Sequence, residues 1–306
     1  MPELPEVETV ARGLQTLIAG RRIVTVSLGK TDFMDNPEAI EKELPGRSIL
    51  AVERYGKFLL LRLSAASVSE HAQTSGGSAL LVHLGMTGIL LPQPVAEPAR
   101  KHTHVAMLLD DGRELRYIDP RRFGRMAFLA GEILKNELER FGVDPLAVSR
   151  DEFTERIQAR HARIKALLLD QSVIRGVGNI YADESLWKAK VHPAAVGTKL
   201  TSDQLGRLHR ALQDILKKAI ALRGSSISDF LDADGMPGDY QRHHRVYGKE
   251  GKRCPRCRTQ IRRAIVAGRS SYYCPNCQKA SRGFGKRKKS KARSAASKKN
   301  KNSKKR

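Results

Sequence analysis

The chain has few of the residues and segments that would point to a secreted or membrane protein. Among its 306 residues are only four cysteines and one tryptophan, and no apolar stretch is long enough to cross a bilayer. The first residues are acidic and no apolar run follows a basic one, so a secretory signal is not expected. The four cysteines lie together between positions 254 and 277, which favours a metal site over disulfides. We therefore expect a protein of a reducing compartment, the cytoplasm.

Acidic residues are absent from the C-terminal segment, residues 279–306, which contains fourteen Lys or Arg. The whole chain has 56 Lys and Arg against 32 Asp and Glu, a formal net charge of +24, so the body without this segment still carries +10. Such a balance predicts a polyanionic partner, the alternative being a solvated surface that only adds solubility. Because the segment has almost nothing apolar to bury, it is predicted to be disordered.

The first part of the chain combines one helical stretch with strand-like runs. Val7, Val10 and Leu14 recur at helical spacing, so a helix is predicted over residues 5–19. Seven strand-like runs follow, separated by Gly, Pro, Asp and Ser: RIVTVSL, RSILAVER, KFLLLRL, ALLVHLGM, HVAMLLD, ELRYI and RMAFL. They predict an antiparallel β-sandwich with flanking helices. The polar stretch SAASVSEHAQTSGGS is expected to be a hairpin insertion.

The second part reads as helical. Helices are predicted over residues 152–169, 180–188 and 205–220, the last capped by Thr201 or Ser202. The predicted fold class is thus α+β with several domains. Its expected division is residues 1–135 as the β-sandwich domain, 136–151 as a linker, 152–243 as a helical domain, 244–278 as a cysteine module and 279–306 as a disordered basic tail.

The cysteine module carries the most specific local pattern. Cys254, Cys257, Cys274 and Cys277 have the spacing C-x2-C-x16-C-x2-C. Each pair presents two thiolates to one ion, which predicts a closed tetrahedral Zn²⁺ site that contributes folding energy. A redox CxxC pair is the alternative, but two pairs at this spacing favour zinc. The residues between the pairs are rich in arginine, as in an element that contacts phosphates, although zinc modules also mediate protein contacts.

The N-terminal segment MPELPEVETV places Pro2 and Glu3 directly before a helix. If Met1 is removed, Pro2 carries a free secondary amine, and a typical α-amine titrates at about 7.7–8.0. Such an amine forms an imine with an aldehyde-like carbon, and Glu3 would move protons beside it. A proline after the initiator Met is also frequent by chance, so this pattern alone has little weight.

Three turns carry side chains suited to nucleic acid. GVGN ends in Asn179 at a helix start, where backbone N–H groups suit a phosphate. DPRRFG sets Phe123 beside arginines, and arginine reads base edges while a Phe wedge unstacks a base step. HLGM ends in Met86. Each is ambiguous alone, because glycine-rich turns, basic loops and core methionines are common.

Together and in this order, PELPEVET, YGKFLLLRL, HLGMTG, DPRRFG, GVGNIYADESLW, VYG and the cysteine module closely resemble the bacterial formamidopyrimidine-DNA glycosylase family. The resemblance covers the chain to about residue 278 and excludes the tail. It implies a helix–two-turn–helix domain with a C-terminal zinc finger. It also implies a monomeric DNA glycosylase and AP lyase that acts on double-stranded DNA containing oxidised purines, 8-oxoguanine and formamidopyrimidines, in the bacterial cytoplasm or nucleoid.

The resemblance also implies roles for single residues. Pro2 would attack C1′ of the damaged nucleotide, Glu3 would protonate the sugar ring oxygen, and Lys57 and Arg269 would assist β- and δ-elimination. DNA-binding roles are implied for His83, Met86, His102, Arg121, Phe123, Lys165, Asn179 and Tyr247. Among these, Met86, Arg121 and Phe123 would fill the gap that a flipped nucleotide leaves. One further basic contact is expected from Arg160, His161 or Arg163, and the loop at about 223–244 would cap the lesion.

Three other functions are open at this point. An endonuclease VIII-like pyrimidine-lesion glycosylase shares the N-terminal proline and glutamate, but typically begins Pro-Glu-Gly-Pro and lacks DPRRFG in this form. A non-catalytic zinc-finger DNA-binding protein explains the charge but leaves MPELPEVE without a purpose. An N-terminal-proline enzyme for small molecules, such as a tautomerase, explains neither the finger nor the charge.

Overall fold

The computed structural model describes residues 1–65, 77–226, 232–233 and 235–280. Most of the expected hairpin insertion, part of the expected capping loop and the basic tail from residue 281 lie outside the described residues. Where helices are described, none has the combination of length and apolar character that a membrane crossing requires.

Two antiparallel four-stranded sheets form the N-terminal region, with strand orders β1-β6-β7-β5 and β2-β3-β4-β8. The elements are α1 (Leu4–Ile18), β1 (Ile23–Leu28), α2 (Pro37–Glu43), β2 (Ile49–Tyr55), β3 (Phe58–Leu63), β4 (Ser78–His83), β5 (Ile89–Pro94), β6 (Thr103–Leu109), β7 (Arg113–Ile118) and β8 (Arg125–Ala130). Inward-facing residues of both sheets share one apolar core with α1, which confirms the predicted sandwich.

Two elements of the sandwich, a strand and a short helix, were not predicted from the sequence. Both contain proline, at positions where such an element tolerates it. β5 contains Pro92 and Pro94, which argue against a central strand. It lies at the edge of its sheet, where a missing N–H removes no ladder bond on the open side. The short helix α2 begins at Pro37, a first-turn position that tolerates proline.

α1 connects the sandwich to the second region. Val7, Val10 and Leu14 are buried in the sandwich core, as their spacing predicted. Leu4, one turn earlier, is buried in the core of the helical region instead. The N-terminal residues are therefore held between the two regions rather than left to fray.

Five α-helices follow β8 among the described residues; the first packs on the β2-β3-β4-β8 sheet, and the other four form the helical region. The five are α3 (Gly131–Glu139), α4 (Arg150–Gln158), α5 (Ile164–Leu169), α6 (Asn179–Ala189) and α7 (Ser202–Ala221). α3 crosses the expected boundary at residues 135–136. α7 begins after Thr201, whose hydroxyl accepts from Gln204 N–H at 3.2 Å while Gln204 Oε1 accepts from Thr201 N–H at 2.9 Å. This capping box selects Thr201 over Ser202 as the cap.

The prediction of one helix over residues 152–169 is wrong, because α4 and α5 are separate. A continuous helix would need apolar side chains near positions 160 and 161 to extend the stripe of Phe153 and Ile157. Arg160 and His161 stand there and are exposed, so the chain leaves the helix and resumes it at Ile164.

The cysteine module packs on the end of α6. Its hairpin consists of β9 (Arg262–Val266) and β10 (Arg269–Tyr273). Ala267 and Gly268 join the strands with φ of 51° and 70°, the two positive values of a type I′ turn. Arg269 is thereby placed at the tip of the hairpin, as the first residue of β10.

Candidate active site

The carboxylate of Glu3 lies at the beginning of α6. Its Oε1 accepts from the backbone N–H of Ile180 at 2.9 Å and its Oε2 from that of Tyr181 at 3.3 Å. These groups form the positive end of the α6 dipole, which attracts a carboxylate. A Cβ at Gly178 would overlap the Glu3 carboxyl group, so glycine is required there. Two of the N–H groups at this helix start, which were expected to suit a phosphate, are therefore bonded to Glu3.

A second buried carboxylate, Glu6, joins three segments. Its Oε2 accepts from Glu3 N–H at 2.8 Å, and its Oε1 accepts from Ser225 N–H at 2.7 Å and from the hydroxyl of Tyr181. Burial and the neighbouring charge of Glu3 raise the pKa of Glu6 to about 7. Sequence reasoning assigned Glu6 no part in the site. Its position three residues after the cap Glu3 is the signal of a capping box that would have found it.

The four residues expected to be catalytic, Pro2, Glu3, Lys57 and Arg269, come together here and are called the N-terminal cluster below. Burial raises the pKa of Glu3, against the opposing effects of the Lys57 charge, of the backbone hydrogen bonds and of the chain's amino terminus. Burial lowers the pKa of Lys57, which the charges of Glu3 and Arg269 also influence in opposite directions. Glu3, Lys57 and Arg269, separated by 54 and 212 positions along the chain, thus share one electrostatic environment.

His83 borders this cluster. Its Nδ1 accepts from Gly85 N–H at 3.1 Å, so the neutral ring carries its proton on Nε2. Burial, followed by the positive charges of Lys57, Arg125 and the amino terminus, lowers the pKa of His83 to about 4. The ring is therefore neutral at physiological pH.

Met86, Arg121 and Phe123, called the wedge below, lie on two adjacent turns of the sandwich. Met86 and Phe123 are 41% and 56% exposed, unusual for apolar side chains of this size. The guanidinium of Arg121 lies 4.4 Å from the centroid of the Phe123 ring. A third turn carries His102, whose φ of 70° is a left-handed conformation.

Lys165, for which the resemblance implies a role in DNA binding, does not face solvent. It is completely buried, and its Nζ contacts Asp183 at 2.7 Å, Ser270 O at 2.9 Å and Ser271 Oγ at 2.8 Å. Asp183 also accepts from Tyr272 N–H at 2.9 Å. The ion pair therefore joins α5 and α6 to the strand that begins at Arg269. Sequence reasoning missed Asp183, and a buried lysine needs such a partner.

Asn179 and Tyr247 lie together at the start of α6. Their side chains are hydrogen-bonded to each other. The Asn179 Oδ1 has no partner among the described protein atoms. The Tyr247 ring packs edge-on against Tyr272 of β10, with centroids 5.3 Å apart. This pair borders the N-terminal cluster, since the charge of Glu3 helps to raise the Tyr247 pKa after burial.

Arg160, His161 and Arg163 are all exposed in the segment between α4 and α5. Arg160 pairs with Asp170 at 3.0 Å and His161 lies 3.2 Å from Thr198 Oγ1. Nothing in this arrangement selects one of the three as the further basic contact.

The four cysteines converge as their spacing predicted. All four Sγ atoms lie within 4.8 Å of one another, with 3.4 Å between Cys257 and Cys274 and 3.9 Å between Cys254 and Cys277. A tetrahedral Zn²⁺ with Zn–S bonds of about 2.3 Å sets thiolates about 3.8 Å apart. Trp187 Nε1–H donates to Cys254 Sγ at 3.4 Å, a contact that orients the thiolate. The cysteines therefore fit one structural zinc ion.

Three family models match successive parts of the chain. They are the formamidopyrimidine-DNA glycosylase N-terminal domain at residues 1–126, the formamidopyrimidine-DNA glycosylase H2TH domain at residues 141–231, and the zinc finger found in FPG and IleRS at residues 251–280. Sandwich, helical region and finger together thus define a DNA glycosylase of the H2TH and zinc-finger class.

Comparison with individual proteins narrows the class to a family. Formamidopyrimidine-DNA glycosylase of Solibacter usitatus is 43% identical over 281 residues, covering 91% of this chain and 100% of the relative. That of Chloroflexus aggregans is 46% identical over 290 residues, covering 91% and 98%. The chain belongs to the formamidopyrimidine-DNA glycosylase family.

Solved structures agree with this assignment. Lactococcus lactis Fpg in complex with DNA containing an abasic site matches with a TM-score of 0.80 at 34% identity, over 91% of this chain and 100% of that one. MutM (FPG) of Thermus thermophilus matches with a TM-score of 0.77 at 40% identity, over 90% and 98%. A variant of the Lactococcus protein is similar to the same extent and was solved with DNA containing Fapy-dG.

Proposed function

We propose that this protein excises oxidised purines from double-stranded DNA and then cuts the strand at the resulting site. The observation that carries the proposal is a buried acid, Glu3, beside the amino terminus, with Lys57 and Arg269 in the same electrostatic environment. A nucleophilic amine, a proton donor and two cations are what a glycosylase and lyase requires. The relatives' names and their complexes with lesion-containing DNA support the substrate class.

Once Met1 is removed, the secondary amine of Pro2 attacks C1′ and the bond from C1′ to the base breaks. The base leaves with the electron pair of that bond and takes up the proton that the Pro2 nitrogen loses. The sugar ring then opens to a cationic Schiff base on Pro2, while Glu3 delivers a proton to the ring oxygen. The raised pKa of Glu3 keeps this proton on the carboxyl group nearer to neutral pH than in water. Loss of a C2′ proton then breaks the 3′ phosphate ester, and a second elimination breaks the 5′ ester.

Lys57 and Arg269 serve these eliminations. Lys57, whose pKa burial lowers, assists removal of the proton and contacts a phosphate. Arg269, at the tip of the finger hairpin, holds a phosphate and assists the second elimination. Zn²⁺ held by the four cysteines fixes this hairpin and takes no part in the bond changes.

Recognition uses the exposed residues. The wedge enters the duplex as the damaged nucleotide leaves it, with Arg121 facing the unpaired cytosine. His83, His102, Asn179 and Tyr247 contact the DNA around the lesion, and the basic tail adds salt-sensitive affinity. Residues 1–135 act as the catalytic domain, 152–243 as the DNA-binding domain and 244–278 as the finger of a monomer. The linker at 136–151, which includes the end of α3 and the start of α4, joins the first two. We infer that it works at the chromosome, in the bacterial cytoplasm.

The experiment that tests the proposal compares four duplexes: undamaged, 8-oxoguanine opposite cytosine, formamidopyrimidine opposite cytosine, and thymine glycol opposite adenine. Base release and the chemistry of both strand ends are measured in single turnover. The proposal predicts release of both purine lesions, leaving phosphate on both ends. Preference for thymine glycol would favour the pyrimidine-lesion enzyme. Tight binding without release of any base would overturn the enzymatic assignment.

A further inference from the structure

Asp119, the first residue of the DPRRFG segment, is completely buried directly after β7. Its Oδ1 accepts from Thr87 Oγ1–H at 2.5 Å and from Arg121 N–H at 3.2 Å. Its Oδ2 accepts from Tyr117 Oη–H at 3.2 Å and from Gly124 N–H at 3.0 Å. Four hydrogen bonds use the full acceptor capacity of one carboxylate.

Three of the four donors come from the two turns that bear the wedge, and the fourth, Tyr117, belongs to β7. Thr87 follows Met86 in the HLGMTG turn, and the two backbone donors flank Phe123 in the DPRRFG turn. Tyr117 is buried between them, and burial and the Asp119 charge raise its pKa above its ordinary value, so its hydroxyl remains a donor.

The backbone of Asp119 reaches the third turn. Its N–H donates to the carbonyl of His102 at 3.1 Å. Its carbonyl accepts from Arg122 N–H at 3.2 Å and from His104 Nε2–H at 3.2 Å. A single residue therefore bonds to every turn of the sandwich that carries an expected wedge residue or His102.

The two wedge turns are also packed in close contact with each other and with Tyr117. A Cβ at Gly85 would come within 2.5 Å of the Phe123 carbonyl carbon. A Cβ at Gly88 would come within 2.7 Å of the Tyr117 hydroxyl, and one at Gly124 would overlap that hydroxyl. Glycine at these three positions lets the turns close around Asp119 and Tyr117.

We propose that Asp119 is a positioning residue that holds Met86, Arg121 and Phe123 as one rigid unit, so that all three enter the duplex together. This inference rests on the proposed function. Because Asp119 and its carboxylate are buried, the residue acts on DNA only through these turns. A wedge fixed in advance loses little conformational entropy on insertion, and that saving offsets part of the cost of unstacking a base.

The proposal predicts that loosening the turns slows steps that need base extrusion and spares those that do not. Thr87→Val removes the hydroxyl that links the Met86 turn to Asp119 while keeping the side-chain shape, and Thr87→Ser retains the hydroxyl. Asp119→Asn keeps the shape but replaces two acceptor positions with donors. A preformed abasic site has no base to unstack, so its cleavage serves as the internal reference for every variant.

Three readouts are compared for the full chain and these variants: single-turnover release of 8-oxoguanine, cleavage of a preformed abasic site, and emission of 2-aminopurine placed beside the lesion, which rises on unstacking. Base release should fall about tenfold in Thr87→Val and further in Asp119→Asn, since hydrogen bonds to a charged group are lost. Abasic cleavage should change less than about twofold, the 2-aminopurine signal should weaken, and Thr87→Ser should restore all three.

Equal release and equal emission in Thr87→Val, Thr87→Ser and the unaltered protein would overturn the inference. So would a parallel loss of both activities in Thr87→Val, which would indicate a general structural role. If the wild-type protein raised the 2-aminopurine emission but released no base, the proposed function would be refuted instead. The inference about Asp119 would still be tested, because the emission measures base unstacking in each variant without requiring base release.

Discussion

The N-terminal cluster and the wedge both depend on buried carboxylates, but they use them in opposite ways. In the cluster, the buried carboxylate of Glu3 is itself the expected reactive group, and burial raises its pKa. In the wedge, the buried carboxylate of Asp119 is a scaffold, and the expected working side chains of Met86 and Phe123 are exposed. Substitutions in the cluster should therefore alter both the reaction rate and the free energy of unfolding. Removal of a wedge side chain should leave the free energy of unfolding almost unchanged.

The largest effect is expected from Glu3→Gln, which keeps the size of the side chain and removes its acidic proton. Release of 8-oxoguanine should fall about 10³-fold, within the range for losing a general acid. Single-turnover rates measure this, with equilibrium binding to the same duplex as the control. A fall of tenfold or less, with unchanged binding, would remove Glu3 from the chemical step.

The Lys165→Met variant tests the buried ion pair with Asp183 at the base of the finger, because it removes the charge of the side chain and keeps its apolar part. It leaves Asp183 without its partner, so the free energy of unfolding should drop by about 3–5 kcal/mol. The matched control is Lys188→Met, which breaks an exposed pair with Asp214 and should cost about 1 kcal/mol or less. Urea denaturation measures both. Equal losses would show that the Lys165 pair contributes no more than a surface contact.

Glu6 should make stability fall as pH rises. Its pKa is about 7 in the folded protein against an ordinary value of 4.5, so between these values the folded form holds a proton that the unfolded chain has lost. Stability from this group is present at the acidic end and lost by pH 7, by about 3 kcal/mol in total. Wild type should therefore lose about that much relative to Glu6→Gln between pH 4.5 and 7.5, in urea denaturation. Parallel pH curves for the two proteins would contradict it.

The smallest effect on stability is expected from Phe123→Ala. The side chain is 56% exposed, so its removal should change the free energy of unfolding by no more than about 0.5 kcal/mol. Release of 8-oxoguanine should nevertheless slow about tenfold, because nothing then fills the opened step. A thermal melt and a single-turnover assay measure the two quantities. A large loss of stability would place Phe123 in the core and erase the contrast with the N-terminal cluster.

Much of the fold could be predicted from local patterns. Alternating strands, the α1 periodicity and the cysteine spacing each depend on residues close in the chain, and each has its structural counterpart. Two features of the fold, β5 and the break between α4 and α5, were not predicted, because in each case one sequence pattern obscured another. Proline concealed β5 at a sheet edge, and apolar periodicity on either side concealed the break at Arg160.

The site was less accessible to local reasoning. The expected roles of Lys57 and Arg269 came from a family resemblance, not from their surroundings in the chain. Asp183 was missed because its partner Tyr272 is 89 positions away. A capping box marks Glu6 locally, but its contact with Ser225 spans 219 positions and could not be predicted. The burial of Lys165 could not be predicted for the same reason, since it depends on the finger hairpin. Short-range patterns carry no information about such contacts.

The account depends most on the amine of Pro2. Borohydride reduction during reaction with an 8-oxoguanine duplex, followed by mass spectrometry of the modified peptide, identifies the attacking atom. The account predicts a sugar adduct on the N-terminal proline, absent or strongly reduced in Pro2→Gly. An adduct on Lys57, or base release without any adduct at saturating borohydride, would contradict it.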